Sequence, residues 1–118
     1  MKYAFLIYDD PSSWDSLPPE EAQKVREQEM PRWEAAMGEL ASVDPGFTGY
    51  ELESRSEAKV VRVREGKRIV TDGPFAETKE VIGGLFVAEV PDLDEAIRLG
   101  AVIPSAEGGS IEIRPVIG

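Results

Sequence analysis

Thr71-Asp72-Gly73-Pro74-Phe75-Ala76-Glu77-Thr78-Lys79-Glu80, closed by Gly83-Gly84, lies between two apolar runs near the middle of the chain. Glycine at 73 can take a positive φ, and Pro74 fixes its own φ and restricts the residue before it. Asp72 can accept hydrogen bonds from nearby backbone amides. The stretch reads as a shaped corner, and within it stand Asp72, Glu77, Lys79 and Glu80. Either these groups ring a pocket or they keep a corner wet.

On the N-terminal side, Lys59–Arg64 and Lys67–Thr71 flank Glu65-Gly66. A two-residue loop ending in glycine between alternating runs predicts a hairpin with a type I′ turn. Its register sets Val61 against Val70 and puts Val63 on their side, with Arg62, Arg64, Ile69 and Lys67 on the other. The clustered positive charge reads as solvation and edge protection or as anion capture. On the C-terminal side, Leu85–Val90 reads as a strand. Asp92 is a good N-cap with Glu95 three residues on, which predicts a helix from about Leu93 to Ala101, ended by Pro104. Ile111, Ile113 and Val116 make a closing strand, and Pro115 marks an edge or an irregular end.

Further out, Lys2–Tyr8 is a short apolar run that predicts a central strand buried on both faces. Asp9–Leu17 reads as a loop in which Trp14 either covers the core or walls a cleft. Pro18-Pro19-Glu20-Glu21 opens a helix, since proline is tolerated in the first turn and acidic residues there complement the dipole. Ala22, Val25, Trp33, Ala36, Met37 and Leu40 recur on one face, and Pro31 predicts a kink or break near Met30. Asp44-Pro45-Gly46 is turn chemistry, Tyr50–Glu53 alternates as a short strand, and Ser54–Glu57 is a polar gap. The order strand, helix, hairpin strands, strand, helix, strand predicts an α+β, ferredoxin-like sandwich, an antiparallel sheet with two helices on one face. The other face would be an apolar association surface, which a homodimer would cover economically.

Asp72-Gly73-Pro74-Phe75-Ala76-Glu77-Thr78-Lys79-Glu80 also resembles the signature of the DGPF group, a branch of the YCII-related family of small bacterial proteins. Met1-Lys2-Tyr3 leading into Leu6-Ile7-Tyr8 is similar to that family's first strand. Val90–Ala96 is similar to the start of its second helix. Ile103-Pro104-Ser105-Ala106 and Gly109–Val116 are similar to its last strand. The resemblance implies one domain over residues 1–118, the dimeric α/β barrel, and a ligand cleft between sheet and helices near the corner after Thr71. Members of the group look like companions of extracytoplasmic-function sigma factors, which implies a sigma-factor partner and a regulatory role. Other relatives look like dehydrochlorinases and lactone-processing enzymes. The better-studied branch implies a His–Asp pair, but this chain has no histidine, and Ile103 and Ser105 flank Pro104.

Composition narrows the chemistry. The chain has 118 residues, enough for one domain, with 42% hydrophobic and 31% charged residues. Its net charge of −10 disfavours nucleic acid and anionic lipid as partners. With no cysteine and no histidine, disulfides, thiolate nucleophiles, imidazole bases and His- or Cys-ligated metals are excluded. No cofactor or metal is expected, and any ion would be a hard one such as Mg²⁺ or Ca²⁺. The apolar run Tyr3–Tyr8 is too short for a signal peptide or a membrane span, so a cytoplasmic protein is expected.

Three functional readings follow. In the first, a homodimeric module binds a small molecule or a protein, with Tyr8, Trp14 and Phe75 as walls and Asp72, Glu77, Lys79 and Arg114 as polar anchors. In the second, a lyase, isomerase or hydrolase uses Asp72 or Glu77 as a general base, its pKa raised by burial, with Lys79 or Arg114 stabilising an oxyanion. In the third, the signature only builds the fold and function sits elsewhere.

Overall fold

A computed structural model describes residues 1–75 and 78–118, apart from the Ser13 side chain. The elements are β1 (Lys2–Asp9), α1 (Ser12–Asp15), α2 (Pro19–Val43), β2 (Thr48–Glu51), β3 (Lys59–Arg64), β4 (Lys67–Asp72), β5 (Val81–Glu89), α3 (Leu93–Val102), α4 (Ser105–Gly108) and β6 (Ser110–Pro115). Four strands form an antiparallel sheet in the order β2-β5-β1-β6, the ferredoxin-like α+β arrangement.

The hairpin β3–β4 stands outside that sheet as a two-stranded ribbon of its own. The strand expected from the hairpin is therefore supplied by Thr48–Glu51. All four of its residues are exposed, so no buried alternation marks it as part of the main sheet. Bidentate hydrogen bonds from Arg26 of α2 to the Glu51 carboxylate, at 2.7 and 2.6 Å, tie this edge strand to the helix. The hairpin itself has the expected register, Val61 opposite Val70 and Arg62 opposite Ile69. Glu65 and Gly66 both take positive φ, 53° and 75°, as a type I′ turn requires.

β1 is central, between β5 and β6, but it is buried on one face only. Tyr3, Phe5 and Ile7 point toward the helices with Phe86 and Ala88, and Leu40, Val90, Ala96, Leu99 and Ile103 complete the core. Phe47 and Trp33 pack around Phe86, with ring centroids 6.0 and 6.4 Å from it. Ala4, Leu6 and Tyr8 face the other way and are half-buried. α2 is one continuous helix through Pro31, so the expected break does not occur. Both Pro31 and Glu27 are exposed, so the carbonyl that proline leaves without an amide can turn to water.

α3 begins where its capping predicts: the Asp92 carboxylate accepts from the Glu95 amide at 2.8 Å. Glu95 does not return the bond. Its carboxylate accepts from Arg98, which also reaches Glu39 of α2 at 3.1 Å. Asp44, at the end of α2, accepts from the amides of Gly46 and Glu89, both at 2.9 Å. Those bonds hold the Asp44 carboxyl below its usual range.

Candidate functional site

The face of the sheet away from the helices is open. Alternation along the strands puts Leu6, Leu85 and Val87 at its centre, with Tyr50 (66% exposed) on β2 and Glu112 and Arg114 on β6. Phe5, Ile7 and Phe86 lie on the helix side with Ile111 and Ile113 of β6, so the apolar part of the open face is built chiefly from Leu, Val and Tyr. At one end of this face the register of β1 against β5 shifts between Ile7 and Tyr8, which brings Tyr8 opposite Ile82. Tyr8 donates its hydroxyl to Glu112 at 3.3 Å. Partial burial and the Glu112 charge both push its pKa up.

The quoted corner returns to the sheet at this end. Gly73 donates its amide to the Ala58 carbonyl at 2.8 Å and closes the base of the hairpin. Its φ is not positive; the glycine is needed for space, because a Cβ there would lie 2.8 Å from the Ala58 Cβ. Two clefts flank the corner. One, of about 680 Å³, is bounded mostly by polar residues, Asp15, Ser54, Arg55, Ser56 and Thr78, together with Gly73 and Pro74. The other, of about 470 Å³, is lined by Tyr8, Leu52, Ala58, Pro74, Phe75, Val81 and Ile82, with Arg55, Glu53, Glu57, Thr78 and Glu80 as its polar groups. It sits at the end of the open face, not between sheet and helices as expected. Its body is apolar with two aromatic walls, the composition of a small-molecule pocket.

The expected site residues scatter around this cleft. Tyr8 and Phe75 line it. Trp14 is half-buried in α1 and does not line either cleft. Lys79 is exposed, and its charge helps hold the Asp10 carboxyl low, after the hydrogen bonds from Ser12. Arg114 lies on the open face opposite Ala4. Glu77 lies outside the described residues. Asp72 corrects the general-base expectation. It is exposed, pairs with Lys59 across the hairpin, and that pairing lowers its pKa instead of burial raising it.

Glu80, Arg55, Leu52 and Ala58 complete the cleft. Glu80 ends the Thr71–Glu80 corner, and its position next to β5 was the signal for it. The Glu80 carboxylate accepts from Ser110 at 3.1 Å, bridging the start of β5 to β6. Arg55 pairs with Asp15 of α1 at 3.2 Å. Beside them, Asp9 accepts from the buried Ser105 hydroxyl at 2.8 Å, fixing the end of β1 to α4. Burial raises the Asp9 pKa, the Ser105 bond opposes this, and the Glu80 charge adds to the rise. Among the described residues, no group of three carboxylates is arranged to hold a metal ion. No helix among them is long and apolar enough to cross a membrane.

The sheet order, the two covering helices and the cleft at the open end define a ferredoxin-like α+β protein. The model of the YCII-related domain matches residues 1–118, and the chain belongs to that family. It is also 33% identical over 120 aligned positions to an uncharacterized protein of Rhizobium meliloti (strain 1021), covering 98% of this chain and 92% of that one.

Proposed function

We propose that this chain is a homodimeric binding module that holds a small organic molecule in the cleft between the corner and the open end of the sheet. The observation that carries the reading is the cleft itself. Tyr8, Phe75, Leu52 and Ile82 supply an apolar body, and Glu80 and Arg55 stand at its edge to take a polar end. A ligand with a flat or branched apolar part and one hydrogen-bonding end matches that lining. The dimer part of the reading rests on the open face. There Leu6, Leu85, Val87 and Tyr50 form one apolar stretch, bordered by Glu112 and Arg114 of β6. Tyr8 and Ile82 belong to both features, so a second copy on the open face would also wall the cleft.

The test is a fragment screen on isotope-labelled protein by amide chemical-shift mapping. Apolar fragments with a hydrogen-bonding end should move the amides of Tyr8, Ala58, Phe75, Glu80 and Ile82 together. The shifts should disappear in Tyr8→Ala. Shifts gathered instead in the polar cleft or on α2, with the Tyr8 region silent, would refute the assignment.

A further inference from the structure

We infer that the β3–β4 hairpin is a clasp that grips a second copy of this chain through its valine face. The inference rests on the homodimer proposed above, and the experiment below separates the two.

A lone two-stranded ribbon is marginal in water unless something packs on it. β3 and β4 make their main contacts with each other, and neither is paired with the four-stranded sheet. The register sorts the ribbon into two sides. One side is turned toward the corner: Val60 and Arg62 are half-buried, and the Arg62 guanidinium lies 5.5 Å from the centre of the Phe75 ring. The other side carries Val61, Val63 and Val70, which are 59, 61 and 54% exposed. Three β-branched residues side by side on an exposed ribbon form a surface made to be covered.

Shape and charge name the occupant. The chain measures 46 × 42 × 21 Å with a radius of gyration of 16.2 Å, against about 13–14 Å for a compact chain of this length. Residues 59–72 hold five of the 13 basic residues and two of the 23 acidic ones. That segment is therefore +3, while the rest of the chain is −13. An arm of one sign projecting from a body of the other is complementary to a second copy of that body. Such complementarity sets partner choice and register. Arg68, opposite Val63, puts one of these charges on the valine side itself.

The experiment measures the dimer dissociation constant of the full chain by sedimentation velocity. Two arm variants are used, Val61→Thr/Val63→Thr/Val70→Thr and Arg68→Glu. Threonine keeps the β-branched shape and Arg68 is exposed, so the far-ultraviolet spectrum should match the parent. The triple variant should dissociate roughly 100-fold more readily, since each change counts twice in a symmetric dimer. Arg68→Glu should weaken the dimer as well, and added salt should weaken the parent. The control is Tyr50→Thr/Val87→Thr on the open face. If the control loosens the dimer while both arm variants stay within about twofold of the parent, the clasp is overturned and the sheet-face dimer stands. A chain that is monomeric at every concentration overturns both.

Discussion

Replacing Gly73 by alanine tests whether the corner is held by a close backbone approach. The new Cβ would lie 2.8 Å from the Ala58 Cβ and 3.3 Å from its carbonyl carbon. Carbon atoms rest at about 3.5–4.0 Å, so the two segments must part by roughly 1 Å. That displacement stretches the 2.8 Å bond from the Gly73 amide to the Ala58 carbonyl beyond useful length. Overpacking costs about 1–3 kcal/mol and the lost bond about 1 kcal/mol more, together about 2–4 kcal/mol against the closed corner. Because the hairpin is a local unit, the assay is native-state hydrogen exchange over residues 58–73. Exchange there should accelerate by roughly 30- to 1000-fold, with the β1 and β5 amides little changed. Ala58→Gly removes the nearest colliding atom, so the double variant should recover part of the loss, a positive coupling between neighbours. Unchanged exchange in Gly73→Ala, or strictly additive effects, would refute the argument.

Two further outcomes follow from the core and the end of β1. Leu99→Ala empties a fully buried position of α3 and should cost about 2–5 kcal/mol in urea unfolding with an unchanged m-value. Asp9→Asn keeps an acceptor for Ser105 and removes a partly buried charge. The Asp9 pKa is raised in the folded state, so folding favours its protonated form: the charged form weighs against stability above that pKa, and the handicap fades as pH falls through it. The variant should therefore be more stable than the parent at pH 7, with the difference shrinking as pH falls through the raised Asp9 pKa toward the ordinary aspartate value. A difference that grows toward acid would contradict the burial argument.

The elements that announced themselves in the sequence were those whose local chemistry and burial agree. Asp92 caps α3, Glu65-Gly66 turns the hairpin, and the apolar run of β1 marks a central strand. The missed assignment was which strand completes the sheet. Val61, Val63 and Val70 alternate as a core strand does, yet they are exposed, while the pairing is done by Thr48–Glu51, which overlaps the short alternating run Tyr50–Glu53 but begins two residues earlier. Periodicity reports a strand; it does not report which sheet the strand joins. The one-turn helices α1 and α4 were equally silent, being too short for a helical period to show. For the site, Tyr8 and Phe75 were legible because aromatics stood next to turns. Arg55 was not, because it reaches the cleft from Ser54–Glu57, which reads only as a polar gap, and Leu52 read as part of a strand and not as a cleft wall. The pairing of Asp72 with Lys59 depends on the hairpin register, which turns an expected base into an exposed ion pair.

Native mass spectrometry on gently purified protein reports subunit count and retained small molecules together. The expected result is a dimer carrying a discrete added mass that is lost in Tyr8→Ala while the dimer remains. A bare monomer, or an added mass that survives Tyr8→Ala unchanged, would contradict the assignment of the cleft and its closure by a second copy.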